Sequence, residues 1–134
     1  MDITEIHTTS DFELRKRIAE LQGYEVQHKF SNGQDEWYRL YLNGVPYGEP
    51  KDNPGWALCE QGAWNFTPNY PESIEAAYRL EESVPVDKRA EYYFFLSAVL
   101  RLDGLHKMFD VAHSTARQKS EAWLAWYDKS KILS

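Results

Sequence analysis

One cysteine, Cys59, is all that the 134 residues contain. A lone thiol cannot close an intrachain disulfide, so the fold must be held by packing, and the chain suits a reducing compartment. No apolar run approaches the length of a bilayer-crossing helix. The opening Met1-Asp2-Ile3-Thr4-Glu5 is acidic where a secretory signal is basic and then apolar. A cytoplasmic protein without a membrane partner is therefore expected. Basic charge is scarce too. Lys and Arg number 15 against 21 Asp and Glu, a formal net charge of -6. An anionic body repels a polyanion before any specific contact forms, so nucleic acid is not expected as a partner. Missing as well are the glycine patterns that cradle phosphates, the Gly-x-Ser-x-Gly elbow, and paired Cys or His at metal-ligand spacing. No cofactor and no metal are expected, and the balance points away from catalysis.

What is present is a core-sized apolar fraction, 43% hydrophobic with 15% aromatic, on a chain the size of one domain, so residues 1–134 are expected to fold as a single domain. Ser10-Asp11-Phe12-Glu13 has capping-box spacing, and Leu14, Ile18 and Leu21 follow at i, i+4 and i+7. This predicts a helix that ends at Gly23. Residues 24–30 then alternate, with Tyr24, Val26, His28 and Phe30 on one face and Glu25, Gln27 and Lys29 on the other. A turn at Ser31-Asn32-Gly33-Gln34-Asp35 leads to a second strand over residues 36–42. A second Asn-Gly turn, Asn43-Gly44, opens a third strand that Pro46 confines to an edge or a bulge.

Residues 49–69 read as irregular, with a brief strand or helical turn over residues 56–60. Pro71 suits a first helical position, and Ile74, Ala77, Tyr78 and Glu81 share the face of the helix it opens. Ser83-Val84-Pro85 breaks that helix. The next begins near Asp87, turns Tyr92, Leu96, Val99 and Leu102 inward, and stops at Asp103-Gly104. Residues 105–113 alternate loosely and read as a strand. Thr115-Ala116-Arg117-Gln118 is a second capping box, opening a helix with Ala116, Ser120, Trp123 and Tyr127 on one stripe. Strands and helices do not alternate, so the fold class is α+β: a small, mostly antiparallel sheet covered by about four helices, sandwich-like.

Two of these stretches carry a resemblance. Residues 68–78, Pro-Asn-Tyr-Pro-Glu-Ser-Ile-Glu-Ala-Ala-Tyr, resemble the Pro-x-Tyr segment and Ala-rich helix of the phage ABA sandwich domain family. Residues 115–122, Thr-Ala-Arg-Gln-Lys-Ser-Glu-Ala, are similar to that family's closing helix. The resemblance implies an α-β-α layered fold and a phage or prophage origin, hence a host cytoplasm. It implies no catalytic residue.

The residues able to do chemistry also have plainer roles. His7, His28, His106 and His113 show no metal-ligand spacing, and a histidine bonded to backbone is the plainer reading for His28 and His113. A small hydrolase or transferase would need one of these as base beside Glu60 or Asp110. Cys59 reads as a small core residue, and Asp35-Glu36 and Glu81-Glu82 as solvated surface. The aromatic group stands out: Trp37, Tyr41, Tyr47, Trp56, Trp64 and Phe66, with Arg39 sharing a strand face with Trp37 and Tyr41. Of these, Trp37, Arg39, Tyr41, Trp56 and Trp64 are the expected ligand or partner contacts, because guanidinium and ring faces dominate binding hot spots. The competing reading is that the tryptophans pin the irregular segment to the sheet. The function expected is a non-enzymatic accessory or binding protein using residues 37–66 toward a protein or small molecule. The alternative is self-association through Trp123, Trp126 and Tyr127 of the last helix.

Overall fold

A computed structural model describes residues 1–31, 35–48, 55–105 and 107–133. The expected turn at Asn32-Gly33 and His106 lie outside the described residues. Among those described, the protein is α+β, with seven α-helices and a small antiparallel sheet of four strands. The chain forms two compact units, one of residues 1–15 and 69–134, the other of residues 16–68.

In the first unit, α1 (Ile3–Thr8) is a helix the periodicity did not predict; the Asp2 carboxylate caps it by accepting the Glu5 N–H at 2.9 Å. The second helix, α2 (Asp11–Leu21), begins where expected, with Ser10 Oγ accepting the Glu13 N–H. Its first residues belong to this unit and the remainder to the other.

Helix α4 (Ile74–Glu82) starts three residues after Pro71, because Ser73 Oγ takes the Ala76 N–H and sets the N-terminus there. Pro71 instead lies in a turn closed by the Ser73 N–H on the Asn69 carbonyl. The buried side of α4 is Ala77 and Leu80, while Ile74 and Tyr78 are exposed, so the expected face is rotated. After Val84 and a short 3-10 turn, α5 (Arg89–Leu102) buries Tyr92, Leu96, Val99 and Leu100, with Leu102 turned outward.

The described residues of this stretch, 105 and 107–113, do not form the expected strand. They contain α6 (Met108–Ala112), whose Asp110 carboxylate accepts the Lys107 N–H as a cap, a local bond that outweighs weak alternation. The last helix, α7 (Ala116–Leu133), opens on the expected box in full: Thr115 Oγ1 accepts the Gln118 N–H, and Gln118 Oε1 accepts the Thr115 N–H.

Helix α7 packs against α1, α4 and α5 and is the centre of this unit. Residues 118–126 are all buried, including Lys119 and Glu121, so the helix has no wide polar face to give to water. Buried charges demand partners. Lys119 Nζ donates to Glu81 at 3.0 Å and lies over the Tyr78 ring, and the Tyr92 hydroxyl donates to Glu81 at 2.7 Å. Trp123 and Trp126 are core residues as well. That overturns the expectation that they extend an apolar surface for self-association.

The second unit is built on a hairpin. Strands β1 (Tyr24–Ser31) and β2 (Asp35–Leu42) pair antiparallel in the register Tyr24–Leu42 to Ser31–Asp35. Asn43 and Gly44 both have positive φ, the conformation that Asn-Gly reaches at least cost and that suits a tight hairpin. They return the chain as β3 (Val45–Pro46), an edge strand as Pro46 requires. The segment expected to be irregular adds β4 (Trp56–Ala57) beside Tyr38 and Arg39, then α3 (Glu60–Trp64). Gly55 makes the approach of β4 feasible. Its carbonyl accepts the Leu40 N–H at 2.7 Å, and a side chain there would collide with the Tyr47 carbonyl.

Helix α3 covers one sheet face, where Leu40 is fully buried and Gly62 abuts the Ala57 methyl. Cys59 is exposed, not core: it caps α3, its Sγ accepting the Gly62 N–H at 3.4 Å.

Candidate functional site

The alternation of β2 sends Trp37, Arg39 and Tyr41 to the sheet face opposite α3. Across the hairpin their partners are Lys29, Gln27 and Glu25 in that order. On the other side, Arg39 faces Trp56 of β4 and Tyr41 faces Pro46 of β3. Residues paired across a ladder point the same way, so one face collects two indoles, a phenol, a guanidinium, an ammonium, an amide and a carboxylate. No member of this set is buried.

Trp37 and Trp56 are diagonal neighbours and meet edge to face, with ring centroids 6.5 Å apart and planes at 86°. That arrangement suits the ring quadrupoles and forms a corner of two perpendicular aromatic walls. Trp56 is 46% exposed. Lys29 Nζ donates to Gln27 Oε1 at 2.8 Å and stands 5.1 Å from the Tyr41 ring centre, so its charge is already engaged by amide and ring. The face therefore offers ring surfaces edged by hydrogen-bonding groups of both signs.

Four of the five expected contact residues, Trp37, Arg39, Tyr41 and Trp56, come together here. Trp64 does not. It lies in α3, 4% exposed, its indole N–H on Glu60 at 3.2 Å and the Lys16 ammonium over its ring. It is a packed side chain, held by its own helix and by α2. Tyr47 likewise meets Tyr24 edge on at 5.3 Å. Burial and this contact push the Tyr24 hydroxyl up to about 12. Gln27, Lys29 and Glu25 were missed as members of the face. The β1 alternation had set them apart, but only the strand register shows which β2 residues they accompany.

The histidines have local partners. His28 is exposed, contrary to the buried or backbone-bonded role expected, and stacks on Tyr38 at 4.6 Å with Glu36 at 3.7 Å. His113 Nδ1 donates to the Phe109 carbonyl at 2.9 Å. Glu60 is held by Trp64 and Lys16, and Asp110 caps α6. In the first unit His7 joins a charged network with Glu121, Asp103, Arg117 and Asp11. Among the described residues no group of three His, Cys, Asp or Glu is placed to hold a metal ion, and no helix is long and apolar enough to cross a membrane.

No protein-family model, curated protein or solved structure matches the chain.

Proposed function

We propose that this chain is a non-enzymatic binding protein that takes a ring-bearing ligand or partner side chain on the Trp37–Arg39–Tyr41–Trp56 face. The observation that carries the reading is the Trp37–Trp56 corner. An indole 46% exposed forfeits much of its burial energy, yet it is held at a right angle to a second indole and directly across from Arg39. Trp, Tyr and Arg are the residues on which binding energy concentrates, and Gln27, Glu25 and Lys29 supply directional hydrogen bonds around them. The likeness of residues 68–78 and 115–122 to the phage ABA sandwich family supports reading the protein as a phage or prophage accessory factor.

The test is a defined array of glycans and peptides, probed with the wild type and with Trp56→Ala. The expected result is a subset of probes bound by the wild type and lost in the variant, with a melting temperature lowered by no more than about 5 °C. Identical array profiles for the two proteins, or no bound probe at all, would overturn the proposal.

A further inference from the structure

The outer edge of β1 has the geometry of a docking edge, and its sequence is complementary to itself. The Gly23 carbonyl accepts the Asn43 N–H at 2.9 Å, so Gly23 and Asn43 are a hydrogen-bonded pair. In an antiparallel ladder such pairs alternate, which makes Glu25–Tyr41, Gln27–Arg39 and Lys29–Trp37 hydrogen-bonded pairs too. The N–H and C=O groups of Tyr24, Val26, His28 and Phe30 consequently point away from β2. The far side of β2 obeys the same parity: Leu40 N–H donates to the Gly55 carbonyl, and Leu40 C=O accepts the Tyr47 N–H. That far edge is filled by the short β3 and β4. Among the described residues, no strand pairs with the outer edge of β1.

An eight-residue open edge is a template for another strand, and proteins usually guard one with charges that repel a second copy. The two charges on β1 do the reverse. Consider two copies of β1 paired antiparallel about a two-fold axis through Gln27. In this register, i and j sum to 54, so Glu25 of each copy stands opposite Lys29 of the other, on one face. On the other face Tyr24 stands opposite Phe30, which is 65% exposed, and Val26 opposite His28. The four outward-pointing residues pair as 24 with 30 and 26 with 28, giving about eight backbone hydrogen bonds across the junction. Centring the axis on residue 26 sets Glu25 against Gln27, and centring it on 28 sets Lys29 against Gln27. Centring on 25 or 29 opposes like charges. Only the Gln27-centred register sets both charges against opposite ones and pairs all four outward-pointing residues among themselves.

We infer that the protein associates with a second copy of itself by antiparallel β1–β1 pairing centred on Gln27, with two Glu25–Lys29 ion pairs across the junction. The two-fold axis is perpendicular to the sheet, so both Trp37–Trp56 corners fall on the same side. Their β2 strands lie three strand spacings apart, about 14 Å. A divalent binder results, in which a ligand with two copies of the recognised group gains from the high local concentration of the second site. This association is independent of whether the aromatic face binds anything.

Sedimentation of the whole chain from about 1 to about 300 micromolar tests it, in the range where an interface of this size is measurable. A monomer–dimer equilibrium is expected for the wild type. Glu25→Lys and Lys29→Glu each oppose like charges twice and should weaken the dimer about tenfold or more. The double variant Glu25→Lys/Lys29→Glu restores both pairs and should return to within about threefold of wild type. His28→Pro removes one outward N–H and leaves the backbone hydrogen bonds between β1 and β2 in place; it also loses the His28–Tyr38 stack, so it should be monomeric with a slightly lowered melting temperature. A wild type that stays monomeric over the whole range overturns the inference. So does association that the single charge changes leave unaltered, or a double variant as weak as the singles. Should His28→Pro unfold, the charge exchange decides alone.

Discussion

His7 Nδ1 and Glu121 Oε1 stand 2.7 Å apart although 114 positions separate them in sequence. The Glu121 side chain is 1% exposed, and its second oxygen accepts from Arg117 Nε at 2.9 Å. Arg117 continues the network to the Asp11 carboxylate and to the carbonyls of Ile6, His7 and Thr9. His7 Nε2 reaches Asp103 at the end of α5. Two side chains of α7 thus gather the end of α1 and the start of α2, satisfying the orphan carbonyls of a six-residue helix that could not persist alone.

Removing the centre of this network should be costly. Glu121→Ala leaves Arg117 and His7 without their buried partner, and a loss of about 3–5 kcal/mol is expected in urea unfolding. Arg79→Ala breaks the exposed Arg79–Glu75 pair at 2.8 Å and should cost less than about 1 kcal/mol. Comparable losses in the two variants would show that the network holds nothing in place.

The tryptophans should divide by burial. Trp64→Ala empties a packed site and breaks the bond to Glu60, so a loss of about 3–5 kcal/mol is expected. Trp56→Ala removes a half-exposed ring whose main contact is the edge of Trp37, worth about 1 kcal/mol. Thermal unfolding of the two variants measures the contrast, and equal destabilisation would contradict it.

Stability should fall in alkali. Burial, then Glu81, hold the Tyr92 hydroxyl above its ordinary range, and burial together with Tyr47 pushes Tyr24 up to about 12. Folding thus favours the protonated phenols. Their contribution is fully present below about 10, the value of an unfolded tyrosine, and is lost as pH rises beyond it, for Tyr24 between about 10 and about 12. Unfolding free energies measured from pH 8 to 12 should slope downward above about 10, and Tyr24→Phe and Tyr92→Phe should each flatten the slope. An unchanged slope in both variants would refute the assignment.

Helix α4 depends on its cap. Ser73→Ala unsatisfies the Ala76 N–H and should cost about 1 kcal/mol by chemical denaturation, whereas Ser73→Asp, which accepts the same bond, should cost a few tenths at most. Equal loss in both variants would assign the effect to something other than capping.

Local signals were legible wherever a short-range bond or an unbroken period decided the outcome. The Ser10 cap, the box at Thr115, the Asn43-Gly44 turn, the two long strands and the Tyr92-Leu96-Val99 stripe are of that kind. The signals failed where only a few residues voted. Helices α1, α3 and α6 are five or six residues long, too short for a period, and are made by caps at Asp2, Cys59 and Lys107. The candidate face was half legible. Alternation grouped Trp37, Arg39 and Tyr41, but the partnership with Trp56 crosses a segment with no period of its own.

By itself, then, the amino-acid order determined where the long helices and the two long strands lie, because i to i+4 spacing, two-residue alternation and capping oxygens act within a few residues. Only the tertiary structure decided which aromatic rings meet water. Trp56 and Trp64 sit eight positions apart in one segment of similar composition, yet a β4 pairing turns one outward and the packing of α3 buries the other. Such outcomes depend on contacts between residues distant in sequence, and no local pattern encodes them.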